Sequence, residues 1–310
     1  MKVEEVVPAA LDGERLDRIV SLIADISRSE ASKLIDAGGA EVDGQLSQSG
    51  KVRLKEGQTV VVDLEKIPLD ELPGPDSSVD LDVVYVDDDI IVINKAAGIV
   101  VHPAAGHGSG TVVNGILARF PEVAQVGQPQ RPGIVHRLDA GTTGMMVIAR
   151  SQRAYDTLVA ALSEHEVGRE YLALTWGKFD SPSAVIDADI GRDPRDPLKM
   201  AVVKSGKWAR TFVEVQEEFN EPAELTLVRC TLETGRTHQI RVHLAAVGHA
   251  VVGDSMYGGA RAALSASRPM LHAARLSLVH PGTGDEMTWS AEVPSDMATV
   301  ISACQFTEPA

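Results

Sequence analysis

Residues 132–149 read Pro132-Gly133-Ile134-Val135-His136-Arg137-Leu138-Asp139-Ala140-Gly141-Thr142-Thr143-Gly144, followed by the apolar Met145-Met146-Val147-Ile148-Ala149. An acid stands at the end of one apolar run, just before a turn rich in Gly and Thr, and a second apolar run follows. Short apolar runs bounded by turn residues are read as strands. If 136–139 is extended, Arg137 and Asp139 point to the same side. A carboxylate at a strand end in a loop mouth is suited to be an exposed nucleophile or base. A structural Asp capping the turn through the backbone N–H of Gly141 or Thr142 explains the spacing slightly better.

Two further segments carry candidate chemistry. In Glu233-Thr234-Gly235-Arg236-Thr237-His238-Gln239-Ile240-Arg241-Val242-His243, Thr237 is expected to cap a helix carrying Ile240, Leu244 and Val247, which Gly248 ends. His238 and Arg241 are three apart and so lie together on that helix. An arginine there can pair with a carboxylate from another strand and keep it ionised when partly desolvated; an ordinary surface ion pair is the plainer reading. In Arg169-Glu170-Tyr171-Leu172-Ala173-Leu174, Tyr171 starts an otherwise apolar strand, where a tyrosine is usually core with its hydroxyl satisfied at the edge. The run Gly106-His107-Gly108-Ser109-Gly110 lacks the Lys-Ser/Thr ending of a phosphate loop and reads as a flexible loop. His238 and His243, five apart, share no helical face, and no His-Glu-x-x-His occurs, so no metal site is expected.

Working outward, residues 81–310 alternate strand-like and helix-like runs. Segments 81–86 and 90–93 flank an Asp87-Asp88-Asp89 turn; Tyr155, Leu158, Val159 and Leu162 mark a helix; 171–176 and 225–232 read as strands. The expectation is an α+β domain, a mixed and mainly antiparallel central sheet with flanking helices. Residues 66–80, rich in proline and acids, read as an exposed linker. Residues 1–65 read as a small α+β module. Leu16, Ile19, Val20 and Ile23 have helical spacing, and Ser27 with Glu30 makes a capping box for a second helix closing at Gly38-Gly39. An Asp43-Gly44 turn then precedes strands through Val52 and Leu54 and through 59–62.

The 310 residues are 24% charged and 44% hydrophobic, an ordinary soluble composition. The N-terminus lacks the cationic and apolar blocks of a signal peptide, no stretch approaches the roughly 18 apolar residues of a membrane span, and Cys230 and Cys304 form neither a disulfide framework nor a metal spacing. A cytoplasmic location is expected. The net charge of −15 argues against a polyanionic partner. Locally, however, Arg192, Arg195, Lys199, Lys204, Lys207 and Arg210 face only Asp193 and Asp196 between 191 and 210. This stripe suits a protein that meets phosphates at one place, and an ordinary solvated hairpin equally well.

Arg15-Leu16-Asp17, Ser27-Arg28-Ser29 and the Asp43-Gly44 turn resemble the small ribosomal-protein S-four-type RNA-binding fold. Arg28 and Lys33 would form its helix-face patch, although Lys/Arg and Asp/Glu are nearly balanced between 15 and 55. The three candidate segments together resemble the RluA/RluD family of RNA pseudouridine synthases. The resemblance extends to Asn94-Lys95 with Gly98 and His102-Pro103, 110–114, Gly253-Asp254 with Tyr257-Gly258, Leu271-His272-Ala273 and His280-Pro281. Ala96 departs from the family's usual proline, and Ala140-Gly141 from its commoner charged pair.

The resemblance implies an isomerase that needs neither cofactor nor metal. It implies Asp139 as nucleophile or base, Arg241 as its partner, and Tyr171 stacking on the uracil and moving the C5 proton. Arg137 would fill the space left by a flipped-out nucleotide, with His136, Arg236 and His238 as further RNA contacts. Whether Asp139 forms an adduct or assists elimination to a glycal stays open. The implied partner is RNA, in the large ribosomal subunit or an assembling subunit, with no obligate protein partner. The alternative is a non-catalytic RNA-binding or ribosome-assembly factor on a decayed synthase scaffold; an Asp139/His136 hydrolase is more remote.

Overall fold

In the computed structural model, residues 2–26, 28–66, 72–102, 109–196 and 198–304 are described. The chain divides into two compact units, Met1–Glu71 and Leu72–Ala310.

In the first unit, β1 (Lys2–Val6), β2 (Ala40–Val42), β3 (Gln45–Leu46) and β4 (Thr59–Asp63) form an antiparallel sheet in the order β1-β4-β2-β3. Helices α1 (Leu16–Ala24) and α2 (Arg28–Asp36) supply Leu16, Ile19, Val20, Leu34 and Ile35 to the core, the residues their helical spacing selects. Ser27, the first residue of the expected capping box, lies outside the described residues. Asp43 and Gly44 both have left-handed φ, 49° and 78°, the geometry of a two-residue hairpin turn. Two expectations are corrected. No strand runs through Val52 and Leu54, because the Leu54 main chain bonds Glu14 and Gly13 instead of a sheet neighbour. Strand β1 was not expected, since Lys-Val-Glu-Glu-Val lacks the apolar alternation of a half-buried strand and is mostly exposed.

The second unit opens with β5 (Asp82–Val86), β6 (Ile90–Lys95) and α3 (Val112–Arg119), then the short β7 (Gly127–Gln128) and β8 (Arg131–Pro132). Next come β9 (Thr143–Ala149), α4 (Gln152–Ser163), β10 (Gly168–Trp176), β11 (Ser183–Asp187), β12 (Ile190–Arg192) and β13 (Met200–Val202). It closes with β14 (Arg210–Phe219), β15 (Leu225–Leu232), α5 (Gln239–Ala246), β16 (Leu271–Val279), β17 (Glu286–Ser290) and α6 (Ser295–Ser302). The main sheet runs β11-β14-β15-β10-β16-β9-β6-β5, with β17 on β16. Every pairing is antiparallel except β16 with β9, so the expected mixed, mainly antiparallel α+β architecture is what the chain adopts. Residues 72–80 belong to this unit: Asn114 of α3 accepts the Asp76 N–H at its main-chain oxygen and donates its side-chain amide to the Gly74 carbonyl. The division therefore falls inside the 66–80 segment read as a linker.

The seam of the sheet lies at the end of the segment quoted first. Strand β16 pairs β10 along one edge; on its other edge His272 and Ala273 pair β9, and 275–279 pair β17. All seven residues of β9 are buried, as expected of a central strand covered on both faces. Gly144 makes the parallel junction possible: its φ is +114°, and a Cβ there would lie 2.1 Å from the Ala273 carbonyl oxygen. Backbone on backbone cannot yield as a flexible side chain can. Gly144→Ala is therefore expected to cost about 3 kcal/mol or more, measured as a fall in the urea midpoint; an unchanged midpoint would refute this view of the seam.

Candidate active site

Asp139 is presented on the irregular segment between β8 and β9. The segment is not a strand, yet Leu138 is buried while Arg137 is exposed and Asp139 partly so, which is the alternation an extended backbone gives. The turn after Asp139 is closed by main chain, with the Thr142 N–H donating to the Asp139 carbonyl oxygen at 3.0 Å. The carboxylate does not cap that turn. Its Oδ2 accepts from Arg241 Nη1 at 2.9 Å.

Two neighbours fix the segment. The Val147 N–H of β9 donates to His136 Nε2 at 3.1 Å, and burial followed by the nearby Arg169 charge pushes this histidine down to about 3. His136 is a neutral acceptor there, serving the backbone of the loop. Lys95 is buried and donates to three carbonyls, of Ala96 (2.8 Å), Ile99 (2.9 Å) and Ala140 (3.1 Å). Burial lowers its pKa to about 8, against the pull of the Asp139 charge. The residue after Asp139 is thus tied to the end of β6.

Arg241, on α5, is held from behind by Asp254. Nε donates to Oδ2 at 2.6 Å and Nη2 to Oδ1 at 3.0 Å, a bidentate pair in which Asp254 is fully buried. Asp254 Oδ1 also accepts the N–H groups of Met256 (3.0 Å) and Tyr257 (3.2 Å). Burial opposes the Arg241 charge, but the Asp254 hydrogen bonds and the Asp139 and Asp254 charges outweigh it and raise its pKa further. Its guanidinium carbon lies 5.0 Å from the Tyr257 ring centre. With Nε and Nη2 engaged behind, Nη1 faces Asp139 in a fixed position.

His238 is not on the helix, and Thr237 does not cap it. His238 is itself the residue at the N-cap, with a left-handed φ of 56° and no side-chain cap. The helix entry is secured by buried Gln239, whose Oε1 accepts from Thr234 Oγ1 and the Arg236 N–H while Nε2 donates to the Arg210 carbonyl and Thr211 Oγ1. The left-handed turn still brings His238 beside Arg241 at the carboxylate, with Nε2 3.8 Å from Asp139 Oδ1. Burial lowers the His238 pKa, although the Asp139 charge works against this. The Tyr257 hydroxyl accepts the Met200 N–H at 3.0 Å and lies 2.8 Å from His238 Nδ1.

These groups border a cavity of about 480 Å³, with Asp139, Arg241, Tyr171, Arg137, His136 and His238 in its wall. Tyr171 is the fourth residue of β10, not the first. It is buried, which pushes its phenol up to about 12, and its hydroxyl makes no hydrogen bond with a described residue. Arg137 is exposed at the rim, without an ion pair to a described residue. Arg236 also lines the cavity and donates from Nε to the Trp208 carbonyl at 2.9 Å. Arg28 and Lys33 are exposed on α2 of the first unit, where Arg28 binds buried Asp17 at 2.9 Å. Of the basic stripe, Arg210 is spent on Asp187 (2.6 Å) and Glu233 (3.4 Å), and Lys199 on Asp196 (3.5 Å). Arg195, Lys204 and Lys207 stay exposed around the β12–β13 hairpin. Among the described residues no His, Cys, Asp or Glu cluster is placed to hold a metal ion.

The sequence profile of the family described as RNA pseudouridylate synthase matches residues 89–246. A Bacillus subtilis protein, the uncharacterized RNA pseudouridine synthase YlyB, is 39% identical over 290 residues, 93% of each chain. The chain belongs to the RNA pseudouridine synthases. The ribosomal large subunit pseudouridine synthase D of Vibrio vulnificus is 43% identical over 300 residues, 92% of this chain and 89% of that one. Among solved structures, human RNA pseudouridylate synthase domain containing 1 matches with a TM-score of 0.56 at 28% identity, covering 70% of this chain and 85% of its own. This synthase is thus an isomerase, and the matched region spans the Asp139 segment, β10 and the whole of α5.

Asp254 and Tyr257 lie in a run that carries the resemblance but have no role legible in the sequence, and Arg169 is visible there only as part of the Tyr171 strand. A lone Asp followed three residues later by Tyr has no periodicity to report, and its partners are 13 and 19 residues away on another element.

Proposed function

We propose that this synthase isomerises uridine in large-subunit ribosomal RNA, with Asp139 as the reacting carboxylate on a nucleotide turned out of the RNA. One arrangement carries the reading: a partly exposed carboxylate in the wall of a 480 Å³ cavity, gripped by Arg241 at 2.9 Å, with Tyr171 in the same wall. Breaking C1′–N1 and rejoining the base through C5 needs a carboxylate at the sugar and a flat surface for the base. It needs no net transfer of electrons or water. Arg241, clamped by Asp254, holds Asp139 in one orientation, so no reorganisation is required as charge moves. The Tyr171 ring supplies the surface for the base, and its hydroxyl, which makes no hydrogen bond with a described residue, serves the C5 proton. The reacting atoms of a stacked nucleotide are inaccessible, so the base reaches Asp139 only after the nucleotide is extruded, and exposed Arg137 at the cavity rim is placed to take up the vacated space. Relatives named for the large ribosomal subunit support that RNA as the target. The first unit, with Arg28 and Lys33, serves as an additional RNA contact, and the protein works in the cytoplasm.

The experiment is release of tritium from ribosomal RNA carrying 5-tritiated uridine, joined to mapping of pseudouridines by carbodiimide adducts in a deletion strain. Release by the purified protein and loss of a specific large-subunit site are expected. No release, or an unchanged map, would overturn the reading. Despite the net charge of −15, RNA binding is expected to weaken steeply with salt, because Arg195, Lys204 and Lys207 are exposed and placed to displace counterions. Changing all three to Gln should lower the slope of log Kd against log salt by about 2 to 3; an unchanged slope would remove the hairpin from the interface.

A further inference from the structure

Arg169 is a buried cation without an anion. It is 7% exposed, and no carboxylate of a described residue lies within 4 Å of its guanidinium. Among the described residues its side chain makes one long hydrogen bond, Nη2 to the Glu233 main-chain oxygen at 3.3 Å, and Nε has no partner. The acids near it in sequence are committed elsewhere. Glu170 points to the opposite face of β10, toward Arg229 and Arg275, and Glu233 turns its carboxylate to Arg210. Of the other ionisable groups beside it, Tyr171 is held protonated and His136 neutral by burial. Removing a guanidinium from water without a counter-charge costs several kcal/mol. A fold that tolerates this keeps the charge for something that arrives.

What arrives enters the cavity. Arg169 lines it together with Asp139, and alternation along β10 puts Arg169 and Tyr171 on the same face. A second observation comes from the loop before α5. Gly235 has no left-handed φ that would demand glycine, yet a Cβ there would stand 2.7 Å from Arg169 Nη1. The glycine leaves room for the guanidinium.

Resting on the functional reading above, we propose that Arg169 is a further catalytic residue: it meets the uracil base and neutralises the negative charge the base carries while detached from the sugar. When C1′–N1 breaks, the bonding pair leaves with N1, so the free base is a monoanion with its charge spread over N1, O2, O4 and C5. The sugar makes up the lost bond either to an Asp139 oxygen or, after Asp139 takes the 2′ proton, as a C1′–C2′ double bond. Both routes give the same anion. Rejoining through C5 returns the pair to carbon as the C1′–Asp139 oxygen bond breaks or Asp139 gives the 2′ proton back; the C5 proton leaves, N1 gains a proton, and the sum is an isomerisation. Arg169 is oriented by the strand that carries Tyr171, so its charge sits at the base before the charge develops.

The test is single-turnover tritium release at saturating enzyme, with RNA affinity measured separately. Arg169→Met should slow release by about 10²- to 10³-fold with the RNA Kd within about threefold. Arg169→Lys should keep part of the lost rate. Gly235→Ala, which displaces the guanidinium without removing it, should slow release with little change in thermal midpoint. Millimolar ethylguanidinium should speed Arg169→Ala in a saturable way, which a structural role would not produce. Wild-type rates in Arg169→Met, or equal losses in the Met and Lys variants, would overturn the proposal. So would a loss confined to Kd with a shallower salt slope, since that would make Arg169 a phosphate contact. A wild-type protein that releases no tritium would sink the functional reading and this inference together; an active wild type with unaffected Arg169 variants would sink only the inference.

Discussion

Asp139→Asn is expected to reduce tritium release by roughly 10⁴-fold or more while leaving the thermal midpoint and RNA affinity close to wild type. The asymmetry follows from the geometry. Asparagine keeps the shape, and its amide oxygen can still accept from Arg241 Nη1 at the 2.9 Å now taken by Oδ2. Arg241 remains neutralised by its bidentate pair with Asp254, so no cation is stranded. The turn survives because it is closed by the Asp139 main-chain oxygen. What disappears is the negative charge and the basic lone pair facing the cavity, needed by an ester-forming and a proton-removing mechanism alike. Full release by this variant, checked for folding by circular dichroism, would reject Asp139 as the reacting group.

Asp254→Asn should behave in the opposite way, losing about 3–5 kcal/mol of stability along with activity. Asp254 is completely buried and carries two guanidinium and two main-chain N–H bonds. Asparagine can serve one side of that set, but its amide N–H groups then face a donor, and the remaining charge on Arg241 is balanced by Asp139 alone. Arg241 is expected to swing toward Asp139, so the carboxylate loses its fixed orientation and release slows as well. Urea unfolding separates the two variants: a large fall in midpoint for Asp254→Asn and almost none for Asp139→Asn. Equal midpoints would show that the clamp behind Arg241 contributes nothing to the fold.

The site was legible in unequal parts. Asp139, Tyr171 and Arg241 stood out because each sits where a short pattern breaks: an acid ending an apolar run, a phenol in an apolar strand, an arginine opposite an apolar stripe. Their spacing alone did not join them, and for Asp139 it slightly favoured turn capping; family resemblance supplied the link. The carboxylate's partner came from another element 102 residues along the chain. His238 was placed on a helix it does not enter, since one left-handed residue leaves no mark on periodicity.

By itself, the sequence determined the units that short-range periodicity can write: α1 and α2, the β9 run, α4, the hairpin turn at Asp43-Gly44 and the α+β class; the candidate reacting groups were joined by family resemblance. Those units depend on neighbours within a few residues, which is the reach of helical and strand patterning. The tertiary structure decided the rest. It set the parallel seam where Gly144 meets Ala273, the Asp254 clamp behind Arg241, and the buried, unpartnered charge of Arg169. Burial and pairing are sums over segments far apart in the chain. Whether an arginine is a surface cation or a stored charge is fixed only when those segments close around it.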